Sequence, residues 1–260
     1  MKIVSLNAWG GRCFAPLMEF LEAQAVDADV FCLQEMFKST EGETSAESHP
    51  NIFDKIATLL SGFEAHFLPV QAGYYLDTPI AGVMGGQALF IKKGIVVEHV
   101  AHRPLVGPLG KVFFVDGKIA YPSALQYADL RLPGGILRVA HVHGVGRPGS
   151  KLDTPARLEQ SAGIAVFLSE GRLPTVLCGD FNLMPETESV AAIERVPMRN
   201  LIKEFKITDT RGDVNREKFP LGKQQSFADY VFVSPEVAVR SFIVPAVSVS
   251  DHLPLILECE

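Results

Sequence analysis

Asn7, Glu35, His143, Asp180, Asn182, Asp229, Asp251 and His252 all stand at the ends of apolar runs. Asn7 follows KIVSL, Glu35 follows VFCLQ, and His143 ends LRVAHVH. Asp180 and Asn182 follow TVLCG, Asp229 opens DYVFVS, and Asp251-His252 precede LPLIL. Carboxylates are hard oxygen ligands for Mg²⁺ or Mn²⁺, amides and imidazoles can neutralise phosphate oxygens, and a His–carboxylate pair can carry a proton. Together these groups are what metal-assisted hydrolysis at phosphorus requires. Singly, each has a plainer reading: a turn-forming Asn, a Glu on a solvated edge, an Asp-Phe-Asn run that closes an Asx turn. Their recurrence at strand ends, where a rigid scaffold can aim side chains into one place, favours the chemical reading.

The elements that must position them can be read from hydrophobic spacing. Segments 2–6 and 29–34 have strand character, and between them APLMEFLEAQA carries Leu17, Phe20, Leu21 and Ala25 on one helical face. A second helix is expected over 51–61, then a strand at 63–70, a glycine-rich loop through 73–86 and a strand from Gln87. The middle of the chain is β-rich, with SALQYADLRL and ILRVAHVH joined by Pro133-Gly134-Gly135 as a hairpin. Thr154 and Pro155 give the N-cap and first turn of a helix through Glu170. PTVLCG is a strand, ESVAAIER a short helix, 199–225 a polar loop-rich stretch, and three strands close the chain. This predicts one α/β domain over residues 1–260, with mostly antiparallel sheets and helices outside.

Composition sets further bounds. The chain has 260 residues, 47% hydrophobic, enough for a sizeable core. No apolar run approaches the roughly 18 residues of a membrane span, and MKIVSLNAWG lacks the pattern of a secretory leader. The four cysteines are scattered without CxxC spacing, and Cys32 and Cys178 fall inside strands as buried thiols. The expectation is a cytoplasmic protein without a cysteine zinc site or a transmembrane segment, and no protein partner is inferred. A net charge of -6 disfavours nucleic-acid binding through a broad basic surface. Clustered carboxylates at a metal site would account for part of that charge.

LNAWG, LQEMF, VAHVHG, GDFN, ADYVFVS and SDHLPL occur in an order and spacing that resembles the endonuclease/exonuclease/phosphatase superfamily, whose members include deoxyribonuclease I, apurinic endonucleases, neutral sphingomyelinases, inositol polyphosphate 5-phosphatases and deadenylases. The resemblance runs from Asn7 to His252. It implies a four-layer α/β sandwich, two packed, mixed, mostly antiparallel sheets flanked by helices as in deoxyribonuclease I. It also implies Mg²⁺ or Mn²⁺ as cofactor. By position, Glu35 would be the principal metal ligand with Asn7 beside it, and Asp251 would support the metal or its water. Asp180 would orient or deprotonate the attacking water, and Asn182 would bond the phosphate or fix Asp180. His252, oriented by Asp229, would be general acid/base or stabilise the transition state, and His143 would donate to a phosphate oxygen. The sequence departs from the family at His141, where Asn is common, and at Trp9, where apurinic endonucleases carry a metal-assisting Asp. His141 lies on the same strand face as His143 and is read as a substrate contact or a structural residue. Trp9 is read as a pocket wall or core residue. Arg157 and Gln160 share a helix face and are expected to brace the GDFN turn. Arg147 and Lys151 would steer a phosphate, unless they are solvated loop charges.

The expected function is a divalent-metal-dependent phosphoester hydrolase, foremost a phosphodiesterase. Its substrate would be a nucleic acid, nucleotide, phospholipid head group or other organic phosphate. The alternatives are a nuclease on DNA or RNA, a sphingomyelinase-like lipid phosphodiesterase, and an inactive binding module of the same fold. Specificity would sit in loops 36–50, 72–86, 103–120, 144–153 and 199–225. The first is acidic and would repel a long polyanion, and the Val112–Val115 cluster of the third is read as buried rather than membrane-touching.

Overall fold

Along β1 (Lys2–Asn7) side chains alternate between two apolar clusters. Val4 and Leu6 pack on helices α1 (Phe14–Ala25) and α2 (Ile52–Leu59), while Ile3 faces the opposite way. The first half of β2 (Val30–Ser39) repeats this, with Phe31 and Leu33 toward the helices and Val30 and Cys32 inward. A period of two with both faces apolar is that of strands covered on both sides.

The computed structural model describes residues 1–40, 49–115, 117–218 and 225–260. The strands that follow are β3 (Phe63–Tyr75), β4 (Thr78–Lys92), β5 (Val96–Val106), β6 (Phe113–Val115), β7 (Lys118–Ala120), β8 (Ser123–Leu132) and β9 (Gly135–His143). Then come α3 (Pro155–Glu170), β10 (Thr175–Asp180), α4 (Glu188–Arg195), β11 (Arg199–Asn200), α5 (Leu201–Glu204) and α6 (Asp213–Lys218). The last strands are β12 (Asp229–Val233), β13 (Val239–Ile243) and β14 (Leu255–Cys259). They form two six-stranded mixed sheets, β13-β14-β1-β2-β4-β3 and β11-β12-β10-β9-β8-β5, and a small β6-β7 ribbon. Each large sheet is antiparallel except for one central parallel pair, β1/β2 and β9/β10. Parallel neighbours need a crossover, and α1 and α3 supply it. The sheets pack face to face, with α1 and α2 covering one outer face and α3 and α4 the other. This is the expected four-layer sandwich.

The parallel pairs matter because their strands all end on the same side. Asn7, His143 and Asp180 are the last residues of β1, β9 and β10, and Asp229 starts the antiparallel β12 directly opposite Asp180. His143 is the other cross-strand neighbour of Asp180. Helix α3 begins as its sequence predicts: Thr154 Oγ1 accepts the Arg157 N–H at 3.2 Å and Pro155 opens the first turn. Such a cap contributes about 1 kcal/mol.

Several expectations about loops are corrected. Stretch 73–86 is mainly the distal part of the β3–β4 hairpin, bent by register shifts at Pro69/Gln71 and Ala72/Tyr74. Its glycines serve close approach, since a Cβ on Gly86 would run into the Leu68 carbonyl. In segment 36–50, β2 continues to Ser39; the acidic stretch 41–48 lies outside the described residues, as do 219–224 of the polar stretch 199–225. Phe113–Val115 is not buried as a whole: Phe113 packs on the core, but Phe114 at the ribbon is 64% exposed. A two-stranded ribbon has one face to cover and one left in solvent.

Candidate active site

Strand parity alone would send Glu35 toward α1 and α2 with Phe31 and Leu33. A bulge between Gln34 and Met36, with Glu35 at φ +51°, turns it into the space between the sheets instead. There Asn7, from the neighbouring strand, donates through Nδ2 to Glu35 Oε1 at 3.1 Å and to Asp180 Oδ2 at 3.0 Å. One amide thus ties a carboxylate of each sheet together. The Trp9 N–H in turn donates to Asn7 Oδ1 at 3.0 Å, which fixes the orientation of that amide.

Asp180 and Asn182 lie either side of Phe181, which is fully buried edge-on against Tyr230 and Phe232. Asn182 adopts φ +57°, and its N–H closes on Asp180 Oδ1 at 2.9 Å. Its side-chain Nδ2 donates to the Gly144 carbonyl at 3.1 Å, and Lys151 Nζ donates to its Oδ1. His252 Nδ1 faces both oxygens of Asp229, at 3.0 and 2.9 Å, and its Nε2 lies 3.7 Å from Asp180 Oδ2. Ser250 secures that loop by donating to the Asn7 carbonyl at 2.6 Å. His143 Nε2 lies 3.6 Å from Glu35 Oε1 and 3.8 Å from Asp180 Oδ2. The structure therefore gathers Asn7, Glu35, His143, Asp180, Asn182, Asp229, Asp251 and His252 into one site. Trp9 and Arg147 line the same cavity of about 430 Å³; Arg12 stacks on the Trp9 ring and Arg147 pairs with Asp77.

Among the described residues, six non-glycine positions have positive φ, and five of them, Trp9, Glu35, Leu76, Lys151 and Asn182, line this cavity. Each such conformation costs about 1–3 kcal/mol in strain. That strain is concentrated where side chains must be aimed.

Electrostatics separates the groups. Burial pushes the Asp180 carboxyl up, but His252, Lys151, His143 and Arg211 together outweigh it and hold the group well below the usual carboxylate range. Burial and Arg211 push His252 down, while Asp229, Asp180 and Asp251 outweigh them and raise it. Burial brings Lys151 down to about 8, against the opposing pull of Asp180. Lys151 is 7% exposed, so it is not a solvated loop charge.

His141 is corrected as a substrate contact. It is fully buried behind the cavity, where its Nδ1 meets Gln34 Nε2 at 3.0 Å and its Nε2 meets Gln126 Oε1 at 2.9 Å. Burial, with the charge of His143, pushes it down to about 3, so it is a neutral structural ring. The bracing expectation divides in two. Gln160 does reach the GDFN turn, donating to the Phe181 carbonyl at 3.2 Å. Arg157 instead holds the carbonyls of Val145, Leu152 and Pro148 at 3.1, 2.7 and 2.5 Å, which shapes the loop that carries Lys151.

Arg211 was not visible as a site residue in the sequence. It sits in a polar run whose only local signal is a turn, and it reaches the cavity through an isolated bridge to His252 that no local pattern encodes. Tyr121, which lines the outer wall and donates to the Leu76 carbonyl, was equally silent.

A divalent cation fits the donor set. Glu35 Oε2 is buried without a hydrogen-bond partner, beside further hard oxygens of Asp180. Asp180, Asp229 and His252 also bring one ligand atom each within 4.8 Å of one another, a second grouping able to hold an ion. In that group Asp229 is already committed to His252 Nδ1, so Glu35 is the better anchor.

Among known proteins, no curated one matches the chain. Solved structures do. One is an endonuclease/exonuclease/phosphatase protein from Beutenbergia cavernae DSM 12333, at 18% identity and TM-score 0.72, covering 100% of this chain and 71% of that one. A mannosyl-6-phosphatase of Bacteroides thetaiotaomicron VPI-5482 shares 18% identity at TM-score 0.69, covering 100% and 99%. The human Nocturnin catalytic domain with bound sulfate shares 20% at TM-score 0.68, covering 100% and 93%. At such identities the likeness is one of fold. The model of the endonuclease/exonuclease/phosphatase family matches residues 4–252, which takes in every strand end of the site, and the chain belongs to that family.

Proposed function

We propose that this chain is a divalent-metal-dependent phosphoester hydrolase, using Mg²⁺ or Mn²⁺. The observation that carries the reading is the buried, unpartnered Glu35 Oε2, beside an ionised Asp180 and a His252–Asp229 pair that joins the two sheets, Asp229 from the start of β12 and His252 from the loop before β14 on Glu35's own sheet. When bound, the cation supplies charge against the phosphate oxygens and acidifies water. Asp180 holds the attacking water and takes up its proton. His252, its Nδ1 fixed by Asp229, presents Nε2 to the ester oxygen or to the charge developing at phosphorus. His143, Asn182 and Lys151 bind the non-bridging oxygens, and Asn7 keeps Glu35 and Asp180 apart yet aligned. Water oxygen bonds to phosphorus as the P–O ester bond breaks, and the leaving group departs with a proton.

The binding-module reading predicts loss of metal-holding or proton-carrying groups, and none of them is missing here. Diester cleavage, foremost from the sequence, receives no separate support from the cavity, whose buried cations Lys151 and Arg211 suit a more highly charged phosphate. The test is hydrolysis of p-nitrophenyl phosphate, bis-p-nitrophenyl phosphate, plasmid DNA and sphingomyelin with Mg²⁺ or Mn²⁺ and with EDTA. We expect metal-dependent turnover of at least one substrate, abolished in Glu35→Gln and His252→Ala. Silence across the panel, or full activity in either variant, overturns the reading.

A further inference from the structure

Two arginines are buried near the site, and they are satisfied differently. Arg157 gives Nε, Nη1 and Nη2 to three backbone carbonyls. Arg211, 7% exposed, has Nη2 on Asp251 Oδ2 at 3.2 Å and Nη1 against His252 Nε2, but its buried Nε has no acceptor. A guanidinium offers five donors, and burying one of them unmet is unfavourable unless a guest completes the set. The segment that carries Arg211 is built firmly into the site. Asp209 Oδ1 accepts the Arg211 N–H at 2.7 Å, and the Thr210 carbonyl accepts the Leu253 N–H at 2.9 Å. Thr210 Oγ1 accepts the N–H groups of Ala228 and Asp229 at 3.1 and 3.2 Å. The position of the cation is therefore fixed by the same loops that fix His252 and Asp229.

We propose that Arg211 binds the phosphate of the substrate and sets a preference for phosphates with two negative charges, that is, phosphomonoesters over phosphodiesters; this rests on the phosphoester reading above. An arginine fork matches two oxygens of a terminal phosphate, and a full second charge on those oxygens rewards a fixed, desolvated cation more than the single charge of a diester does. A phosphate that completes the set meets the free Nε–H together with the Nη2–H that points the same way, while Asp251 on Nη2 and His252 on Nη1 keep the guanidinium in place. The outer wall points the same way. Asp77 holds Arg147 at 2.8 Å and accepts from Tyr121 Oη at 3.4 Å, so the tip of the β3–β4 hairpin is strapped to the segment before β8 and the loop after β9. A chain continuing from both sides of a diester would have to pass this strap; a terminal phosphate has one chain to place.

The experiment compares the full chain with Arg211→Gln and Arg211→Lys in Mg²⁺. The readouts are kcat/KM on p-nitrophenyl phosphate and on bis-p-nitrophenyl phosphate, and calorimetric binding of inorganic phosphate. Arg211→Gln should lose on the order of 100-fold on the monoester and under about 10-fold on the diester, the scale of one preorganised donor to a developing anion. Phosphate binding should weaken in parallel with the monoester loss, and Arg211→Lys, which keeps the charge without the fork, should fall between. Equal losses on both esters, or unchanged phosphate binding, overturn the proposal while leaving the hydrolase reading intact. A wild type inert on both esters that still binds phosphate through Arg211 does the reverse. If Arg211→Gln melts early, Arg211→Lys decides: a monoester-to-diester ratio equal to that of the wild type, with undiminished phosphate binding, counts against the proposal.

Discussion

Two buried polar clusters lie side by side between the sheets, and one is closed but for a single neutral oxygen while the other leaves charged groups unmet. Behind the cavity, Gln34, Gln87, Gln126 and His141 form a belt. Both His141 ring nitrogens are taken, and the Gln87 amide donates to the His141 carbonyl at 3.2 Å and accepts the His143 N–H at 3.0 Å. One oxygen of Gln34 is the only side-chain atom of these four residues left over. In the cavity, Glu35 Oε2 and Arg211 Nε are both buried without partners, and they carry charge. Desolvation is severe in both places, so burial does not separate structure from function. What separates them is whether the valences are filled from within: a filled belt pins one sheet to the other, and an unfilled cluster awaits metal and anion. His141 and His143 show the difference at a spacing of two residues on one strand face.

The largest break in this contrast comes from Glu35→Gln. Hydrolysis should fall by about 10³-fold, or about 4 kcal/mol of transition-state stabilisation. The thermal midpoint should hold or rise, because an unmet buried charge is removed. Retained activity with a sharply lower midpoint would make Glu35 a structural residue like His141. Arg157→Ala comes next, at about 3 kcal/mol, since three carbonyls lose a charged donor at once. Turnover should fall with it, because the 144–152 loop positions Lys151 and Asn182; an unfolding titration and an assay on the same sample measure both. His141→Leu should cost about 2 kcal/mol, or roughly 4–8 °C at the rate of 2–4 °C per kcal/mol for a chain of this size. Its activity per folded molecule should be unchanged, which separates the belt from the cavity.

Much of this was legible from sequence, for an identifiable reason. Asn7, His143, Asp180, Asp229 and His252 lie on or beside strand ends, and period-two runs reveal where strands end. Glu35 was legible only as a residue type, since parity aims it at the helices and a bulge reverses it. Glycines 73–86 read as a loop because local propensity cannot show the long partner strand that makes them part of a hairpin. Arg157 was legible as a brace but not of the loop it holds, and Lys151 was legible only as either a phosphate-steering or a solvated loop charge; their burial depends on carbonyls and an amide brought in by tertiary packing. Arg211 was hidden most completely, because its role follows from a bridge between segments about forty residues apart.

The smallest effect gives the most specific test of the closed belt, through pH. His141 is held neutral in the fold, its pKa brought down to about 3 chiefly by burial. In the unfolded chain a histidine titrates near 6.5. Below that value the unfolded chain takes up a proton that the belt refuses. Stability is therefore full above about pH 6.5 and is lost as pH falls toward 3, by up to about 1.4 kcal/mol per pH unit from this ring. His141→Leu lacks that term and retains every other titrating group. Urea unfolding of both proteins at pH 7 and pH 5.5 should show the deficit of the variant shrinking by about 1.4 kcal/mol between them. A gap that stays constant would mean that His141 accepts a proton without leaving its place. Gln34 and Gln126 would then be adaptable partners, and the belt would be no more closed than the site beside it.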